Sequence, residues 1–322
     1  MADATRELEI RRLDAGHAAA IVACFTRVYG DSYANGLFYD ASALATEIGS
    51  GRLSSVGALT PEGRILGHMA MVCHPDAQVA ELGNTVVDPT ARGGGLAWRI
   101  GRALSDWCAE RGFPAYLHYP TTAHHIMQRQ SVKEGFETGL MLGYVPAETD
   151  GQTGPNRQRL RGACTIVFNP LGDCPTPSVY LPARYADLLR NLARPPCLNR
   201  TWLTAPSRPL PSTTASVLTS QPRRGLARLE IRSAGADLDT TLADLRARPL
   251  PCLQVDLSLA DPGIDAAVEI AHSAGFGFCG WLPGYRASDV LRLQRVDPEV
   301  TDLLPAVVNP TARELLRWCG GR

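Results

Sequence analysis

VVDPTARGGGLAWRIGRAL, residues 86–104, joins a short apolar run to a glycine-rich turn and then to a helical pattern. Asp88-Pro89 ends the run, because proline has no amide to continue a strand ladder. Beyond the turn, Leu96, Ile100, Leu104, Trp107 and Cys108 fall on one stripe at helical spacing, and Gly112 stops the helix. Arg92, Gly93, Gly94, Gly95, Leu96 and Ala97 fit the pattern R-x-x-G-x-(G/A). Successive amides at a helix N-terminus point outward, and the helix dipole adds about half a positive charge. Glycines let that backbone approach a phosphate without side-chain clash. The segment is a candidate anion cradle.

Working outward, alternation and turn residues predict strands at 8–13, 55–59, 65–73 and 80–87, and a helix over 18–29. The loop GDSYANGLFYD (30–40) is rich in glycine and aromatics and reads as a loop and short helix over a pocket. After the motif come a strand at 115–119, a helix at 124–134, and an antiparallel pair at 136–145 and 163–171. Residues 172–224 are proline-rich, with one helix at 184–192. The remainder reads strand 226–232, helix 238–248, strand 252–259, helix 264–274, a hairpin of 276–282 with 290–296, and a last helix at 311–318. A landmark recurs in the same order: Gly135-Phe136 with Gly143-Tyr144, then Gly275-Phe276 with Gly284-Tyr285. The recurrence predicts two copies of one α/β fold with a mixed sheet.

The chain has 322 residues, 45% of them hydrophobic, enough for about two domains. Its 32 basic and 32 acidic residues cancel. That balance gives no global attraction for nucleic acid or an anionic membrane, though a local patch stays open. No run is long and apolar enough to span a bilayer, and the charged start lacks a signal-peptide core, so the expectation is a cytoplasmic protein. Nine scattered cysteines include no C-x-x-C pair and no zinc-like spacing, which predicts buried thiols and no metal.

Two other glycine motifs compete. A dinucleotide fold places its glycines after the first strand of a βαβ unit, with an acidic residue about 20 positions on. Here several strands precede the turn, and the next strand ends in Tyr119-Pro120. A phosphate-binding P-loop needs Gly-Lys-Ser/Thr, and the chain's one lysine is Lys133.

The strand, the VxPxxRGxGL-like turn, the helix and the following Gly-Phe hairpin resemble the GNAT superfamily of N-acetyltransferases. The resemblance covers residues 6–171, with a weaker copy over about 175–298. It implies an acyl-CoA, most simply acetyl-CoA, with its pyrophosphate on Arg92–Ala97 and its pantetheine arm between the strands ending at Val87 and Tyr119. Thr85, Val86 and Val87 would supply main chain to that arm, and the amide at Thr85 would polarise the thioester. Gly94 stands where the family often carries a basic or polar residue. The implied organisation is an acyltransferase domain at 1–172, a connection at 173–225 and a degenerate copy at 226–322. In that copy Asp237 and Asp239 occupy the place of the phosphate turn, and like charge repels a diphosphate.

The resemblance implies direct attack of an amine on the thioester. Glu81 is the candidate base, because family members carry a glutamate there, and simple alternation puts it on one side with Thr85 and Val87. Ser131 stands where the family often has an acidic tyrosine, and His124 lies nearby at a helix start as a candidate relay. Tyr29, Tyr33, Tyr39 and Tyr119 are candidate acceptor contacts. The acceptor is expected to be a small molecule. A carrier-protein or aminoacyl-tRNA donor, and a non-catalytic acyl-CoA-binding or partner-binding module, are the alternatives.

Overall fold

The computed structural model describes residues 8–123, 125–147 and 159–319. The chain runs β1 (Glu9–Leu13), α1 (Ala18–Tyr29), α2 (Ala41–Gly49), β2 (Leu53–Leu59), β3 (Ile65–Val72), β4 (Ala80–Val87) and α3 (Leu96–Glu110). It continues through β5 (Ala115–His118), α4 (His125–Ser131), β6 (Phe136–Val145) and β7 (Gly162–Pro170). The middle holds β8 (Ser178–Tyr180), α5 (Ala186–Leu192), β9 (Thr201–Leu203) and β10 (Ala215–Gln221). The last part is β11 (Leu226–Ser233), α6 (Leu238–Arg246), β12 (Cys252–Ser258), α7 (Ile264–Ser273), β13 (Gly277–Leu282), β14 (Val290–Val296) and α8 (Pro310–Cys319).

All strands but β8 and β9 join one mixed sheet of 12, in the order β1-β2-β3-β4-β5-β7-β6-β13-β14-β12-β11-β10. From β3 to β6 the successive pairings are antiparallel, parallel, antiparallel, antiparallel. From β10 to β13 the same series repeats. The halves meet where Gly139 of β6 pairs with Gly280 of β13. A Cβ on Gly139 would lie 2.5 Å from the Gly280 Cα and 2.6 Å from the Cys279 carbonyl, so only glycine admits this approach. The landmark glycines also agree in conformation, Gly143 having φ 64° and Gly284 φ 63°.

Helices cover both faces of the first half. On one face, Ile21 and Phe25 of α1 and Leu44 of α2 bury against Ala70 and Val86. On the other, Leu96, Ile100, Leu104 and Cys108 of α3 bury against Val56, Ala80 and Leu82. Fully burying a side chain of this size contributes about 1.5–3 kcal/mol, so the α3 stripe pins the helix to the sheet below its N-terminus. A third core runs without a break from β5, β6 and β7 into the C-terminal strands.

The structure adds β10, an exposed edge strand that pairs with β11 and lies inside the stretch expected to be a connection. It also adds α2, started by the Asp40 side chain, which accepts from the amides of Ser42 and Ala43. The helix after β5 is shorter than expected, His125–Ser131. The cysteines are free thiols, six of them buried.

Candidate active site

β4 pairs with β5 only from Ala80 to Leu82, opposite Tyr116 to His118. Beyond that point β4 continues to Val87 beside β3 alone, while β5 ends. The two parallel strands therefore splay, and their open side leads toward the N-terminus of α3.

A bulge lies within the splayed part. Ala70 pairs with Gly83 and His68 with Val86, leaving Asn84 and Thr85 opposite one residue of β3. Asn84 takes φ 52°, the one positive φ among the described non-glycine residues. His68, fully buried, holds it there: its Nδ1 lies 3.1 Å from the Asn84 carbonyl and its Nε2 3.1 Å from Ser55 Oγ. A carbonyl only accepts, so Nδ1 carries the proton and Nε2 accepts from the serine. Burial pushes the imidazole down to about 4, so it is neutral at pH 7. Tyr33 Oη donates to Asn84 Oδ1 at 3.2 Å, and Tyr29 Oη lies 3.4 Å from the Thr85 carbonyl.

The bulge overturns the alternation expected along β4. Ala80 and Leu82 face α3, so Glu81 faces the other side. Past the bulge Val86 packs toward α1 and Val87 toward α3. Val86, not Val87, shares a face with Glu81.

The turn between β4 and α3 is anchored by Asp88. Its Oδ2 accepts from Arg27 Nε at 2.8 Å and Arg64 Nη2 at 3.3 Å, and its Oδ1 accepts from the amide and hydroxyl of Thr90. Burial opposes the charge, but these hydrogen bonds outweigh it and hold the carboxyl down at about 2. Arg92 Nε donates to the Val87 carbonyl at 3.1 Å. Gly93 and Gly95 take φ 89° and 71°, and a Cβ on either would meet nothing within 4 Å. Gly93, Gly94 and Gly95 are exposed, and their amides make no hydrogen bond to other described residues. Gly95 caps α3 without a side chain, so the first-turn amides of Leu96 and Ala97 also face outward, while the Leu96 side chain is core. This is an uncovered, dipole-aligned set of donors suited to a diphosphate.

The corresponding place after β11 is filled. The Ala234 amide donates to Asp261 Oδ2, the Gly235 amide to Thr214 Oγ1, and the Ala236 amide to the Pro211 carbonyl. A Cβ on Gly235 would lie 2.2 Å from the backbone of Thr213. Asp237 accepts from the Thr214 amide at 2.7 Å.

Glu81 lies where β4 and β5 still pair. Its Oε2 accepts from Tyr119 Oη at 3.2 Å and lies 3.9 Å from His74 Nε2, within ion-pair range but beyond a hydrogen bond. Burial would raise the carboxyl, but the contact with the His74 side chain and the positive charges of Arg228 and Arg292 outweigh it, and the group stays below its usual value. Burial next to Glu81 pushes the Tyr119 phenol well up, so it remains a donor. Tyr119 is 6.2 Å from Tyr144, ring to ring.

Ser131 is placed differently. Its hydroxyl donates to the Met127 carbonyl at 2.7 Å and receives a hydrogen bond from His118 Nε2 at 2.9 Å. Asn169 Nδ2 donates to His118 Nδ1 at 2.8 Å, which fixes that tautomer. The serine proton is thus already committed to main chain. His124 lies outside the described residues. Tyr29 and Tyr33 pack against each other and against Phe25, Tyr33 also meets Phe38, and Tyr39 Oη accepts from the Tyr33 amide. Sequence reasoning missed His68, His74, Asn84 and Asp88. From sequence, Asp88-Pro89 reads only as a strand end, and nothing in the sequence marks the bulge.

No group of His, Cys, Asp or Glu able to hold a metal occurs among the described residues. No helix among them is long and apolar enough to cross a membrane.

Residues 25–129, from α1 into α4, match the model of the Acetyltransferase (GNAT) family. No curated protein matches the chain. Among solved structures, a GNAT-family N-acetyltransferase of Escherichia coli in complex with CoA is 22% identical. That match covers 37% of this chain and 66% of the other, with a TM-score of 0.32. A putative acetyltransferase of Salmonella typhimurium with acetyl-CoA is 16% identical over 53% of this chain and 97% of its own, TM-score 0.41. The ribosomal-protein-S18-alanine N-acetyltransferase of Escherichia coli is 16% identical over 52% and 96%, TM-score 0.41. The family match takes in the glycine turn, the splayed strands and Glu81. Residues 25–129 are therefore similar to a GNAT acetyltransferase domain.

Proposed function

We propose that the protein transfers an acyl group, most simply acetyl from acetyl-CoA, to the amine of a small molecule. The observation that carries this reading is the uncovered glycine turn at the head of α3, beside the splay of β4 and β5. Gly93, Gly94, Gly95, Leu96 and Ala97 would hold the diphosphate through their amides, with Arg92 beside them. The free edge of β4 around Thr85, Val86 and Val87 would pair with the pantetheine amides.

The reaction joins the amine nitrogen to the thioester carbonyl carbon and breaks the carbon–sulfur bond. An ammonium must first lose a proton, and Glu81 is the base that takes it, directly or through one water. The second proton, acidified on nitrogen as the N–C bond forms, is lost to solvent, and the departing thiolate takes one from solvent, giving free CoA and the amide. Tyr119 orients the carboxylate with its hydroxyl. Ser131 serves the packing of α4 on β5 and takes no part in proton transfer.

We further infer that residues 226–322 together with β10 are a second copy of the fold that binds no CoA. The repeated pairing series supports a duplication, and the occupied amides of Ala234, Gly235 and Ala236 support the loss of its anion seat. The test is release of CoA thiol from acetyl-CoA in the presence of a panel of primary amines. Amine-dependent release supports the reading, and its absence across the panel together with no CoA binding removes it.

A further inference from the structure

The C-terminal half closes over the acceptor side of the first. The short turn Pro222–Arg224, between β10 and β11, lies on the loop after α1: Arg223 stacks over the Tyr39 ring at 4.9 Å and donates to the Asp31 carbonyl. The next residue, Arg224, stacks its guanidinium over Tyr144 at 4.3 Å. Tyr144 neighbours Tyr119, which holds Glu81. Arg224 therefore faces the aromatic wall that carries the candidate base.

Charge around this wall is out of balance. Asp256 is spent on Arg292, which it binds through both oxygens at 2.6 and 2.7 Å, and it also lies 3.9 Å from Arg228. Arg228 directs its donors to Gln254 and the Tyr285 hydroxyl. Buried Arg161 donates to the carbonyls of Gly143 and Arg224, and it has no carboxylate partner among the described residues. Arg224 uses Nε on Gln221 at 3.0 Å, and its Nη1 and Nη2 make no hydrogen bond to other described residues. Partly desolvated guanidinium groups in excess over carboxylates favour an incoming anion, and a planar fork with free donors matches a two-oxygen group.

We propose that the acceptor is an amine that also bears an oxyanion, a carboxylate or a phosphate, which Arg224 of the C-terminal half binds while Glu81 receives the amine proton. This rests on the acyltransfer reading and narrows its substrate class. The second half thereby supplies the specificity-determining arginine of the first half's site. Arg161 positions Arg224 by holding its carbonyl.

The test compares matched amines with acetyl-CoA: amino acids against their amides, and phosphoethanolamine against ethanolamine. Wild-type kcat/KM is expected to favour the acidic member of one series, which separates carboxylate from phosphate. Arg224→Met should lower that value about 10- to 100-fold, and Arg224→Lys should restore part of it, while the KM for acetyl-CoA stays unchanged. A rise in acetyl-CoA KM with acceptor KM unchanged would assign the arginine to the donor's phosphates and overturn the proposal, as would equal rates on acidic and neutral amines. Thermal shift with inorganic phosphate and with malonate reads the site without turnover. Stabilisation by either ion in the wild type, lost in Arg224→Met, supports the oxyanion site even where CoA fails to bind and the acyltransfer reading falls. No difference between the two proteins with either ion overturns it.

Discussion

Tyr119 donates its phenolic hydrogen to Glu81 Oε2 across 3.2 Å, linking the end of β5 to β4 where the two strands begin to part. The bond fixes the carboxylate at the mouth of the splay, with the charges of Arg228 and Arg292 favouring its ionised form.

Glu81→Gln is expected to lower kcat by about 10²–10⁴-fold, the range for loss of a general base, with acetyl-CoA affinity unchanged. Stopped assays with equilibrium binding separate the two effects. Turnover equal to wild type would remove Glu81 from the mechanism.

The pH profile has a definite sign. Glu81 is held below 4.5, so it is already ionised through the neutral range. The rise of kcat/KM between pH 6 and 9 should then follow the pKa of the acceptor amine and shift when amines of different basicity are compared. A fixed break near pH 6 for every amine would mean that Glu81 or another enzyme group sets it.

Tyr119→Phe removes a hydrogen bond to a charged group, worth about 1.5–3 kcal/mol where buried. The fold should persist, since the ring stays, and kcat should fall by about tenfold or more. Retention of full kcat would reduce the hydroxyl to a packing element.

Buried His68 and half-buried His118 are neutral, each pushed by desolvation from 6.5 down to about 4. The unfolded chain binds these protons more readily, so stability is complete above pH 6.5 and falls as pH drops from 6.5 toward 4. Each histidine contributes up to about 3 kcal/mol to that loss. His68→Gln should flatten the dependence of denaturation midpoint on pH over that window. An unchanged slope would mean that His68 is protonated in the folded state.

Gly139→Ala places a methyl against the Gly280 backbone, and overpacking of this kind costs about 1–3 kcal/mol or more. The melting temperature should drop by several degrees, and limited proteolysis should cut between the halves sooner. An unaltered melt would show that the sheet joint carries little of the stability.

Most of this architecture is legible in the sequence because the elements that build it bury one clean stripe. Leu96, Ile100, Leu104 and Cys108 announce α3, and R-x-x-G-x-(G/A) announces its open start. What the sequence does not disclose is what depends on distant partners. β10 is exposed along its length and forms because β11 lies beside it. The bulge at Asn84 depends on a proton from His68, sixteen residues earlier in sequence and on the neighbouring strand. It inverts the alternation on which the grouping of Glu81 with Val87 relies. Ser131 keeps its position by sequence but gives its proton to Met127, a hydrogen bond no spacing could reveal. Arg224 stays hidden in the sequence because it reaches the first half only through the packed sheet.

Calorimetric titration of the full chain with acetyl-CoA and with S-acetylpantetheine, which lacks the diphosphate and nucleotide, tests the central claim most directly. If the amides of Gly93 to Ala97 hold the diphosphate, acetyl-CoA binds at least about 100-fold more tightly. Gly93→Asp, which adds a negative charge to the turn, should then erase most of the difference. Equal affinity for both compounds, or the same advantage for acetyl-CoA in Gly93→Asp, would contradict it.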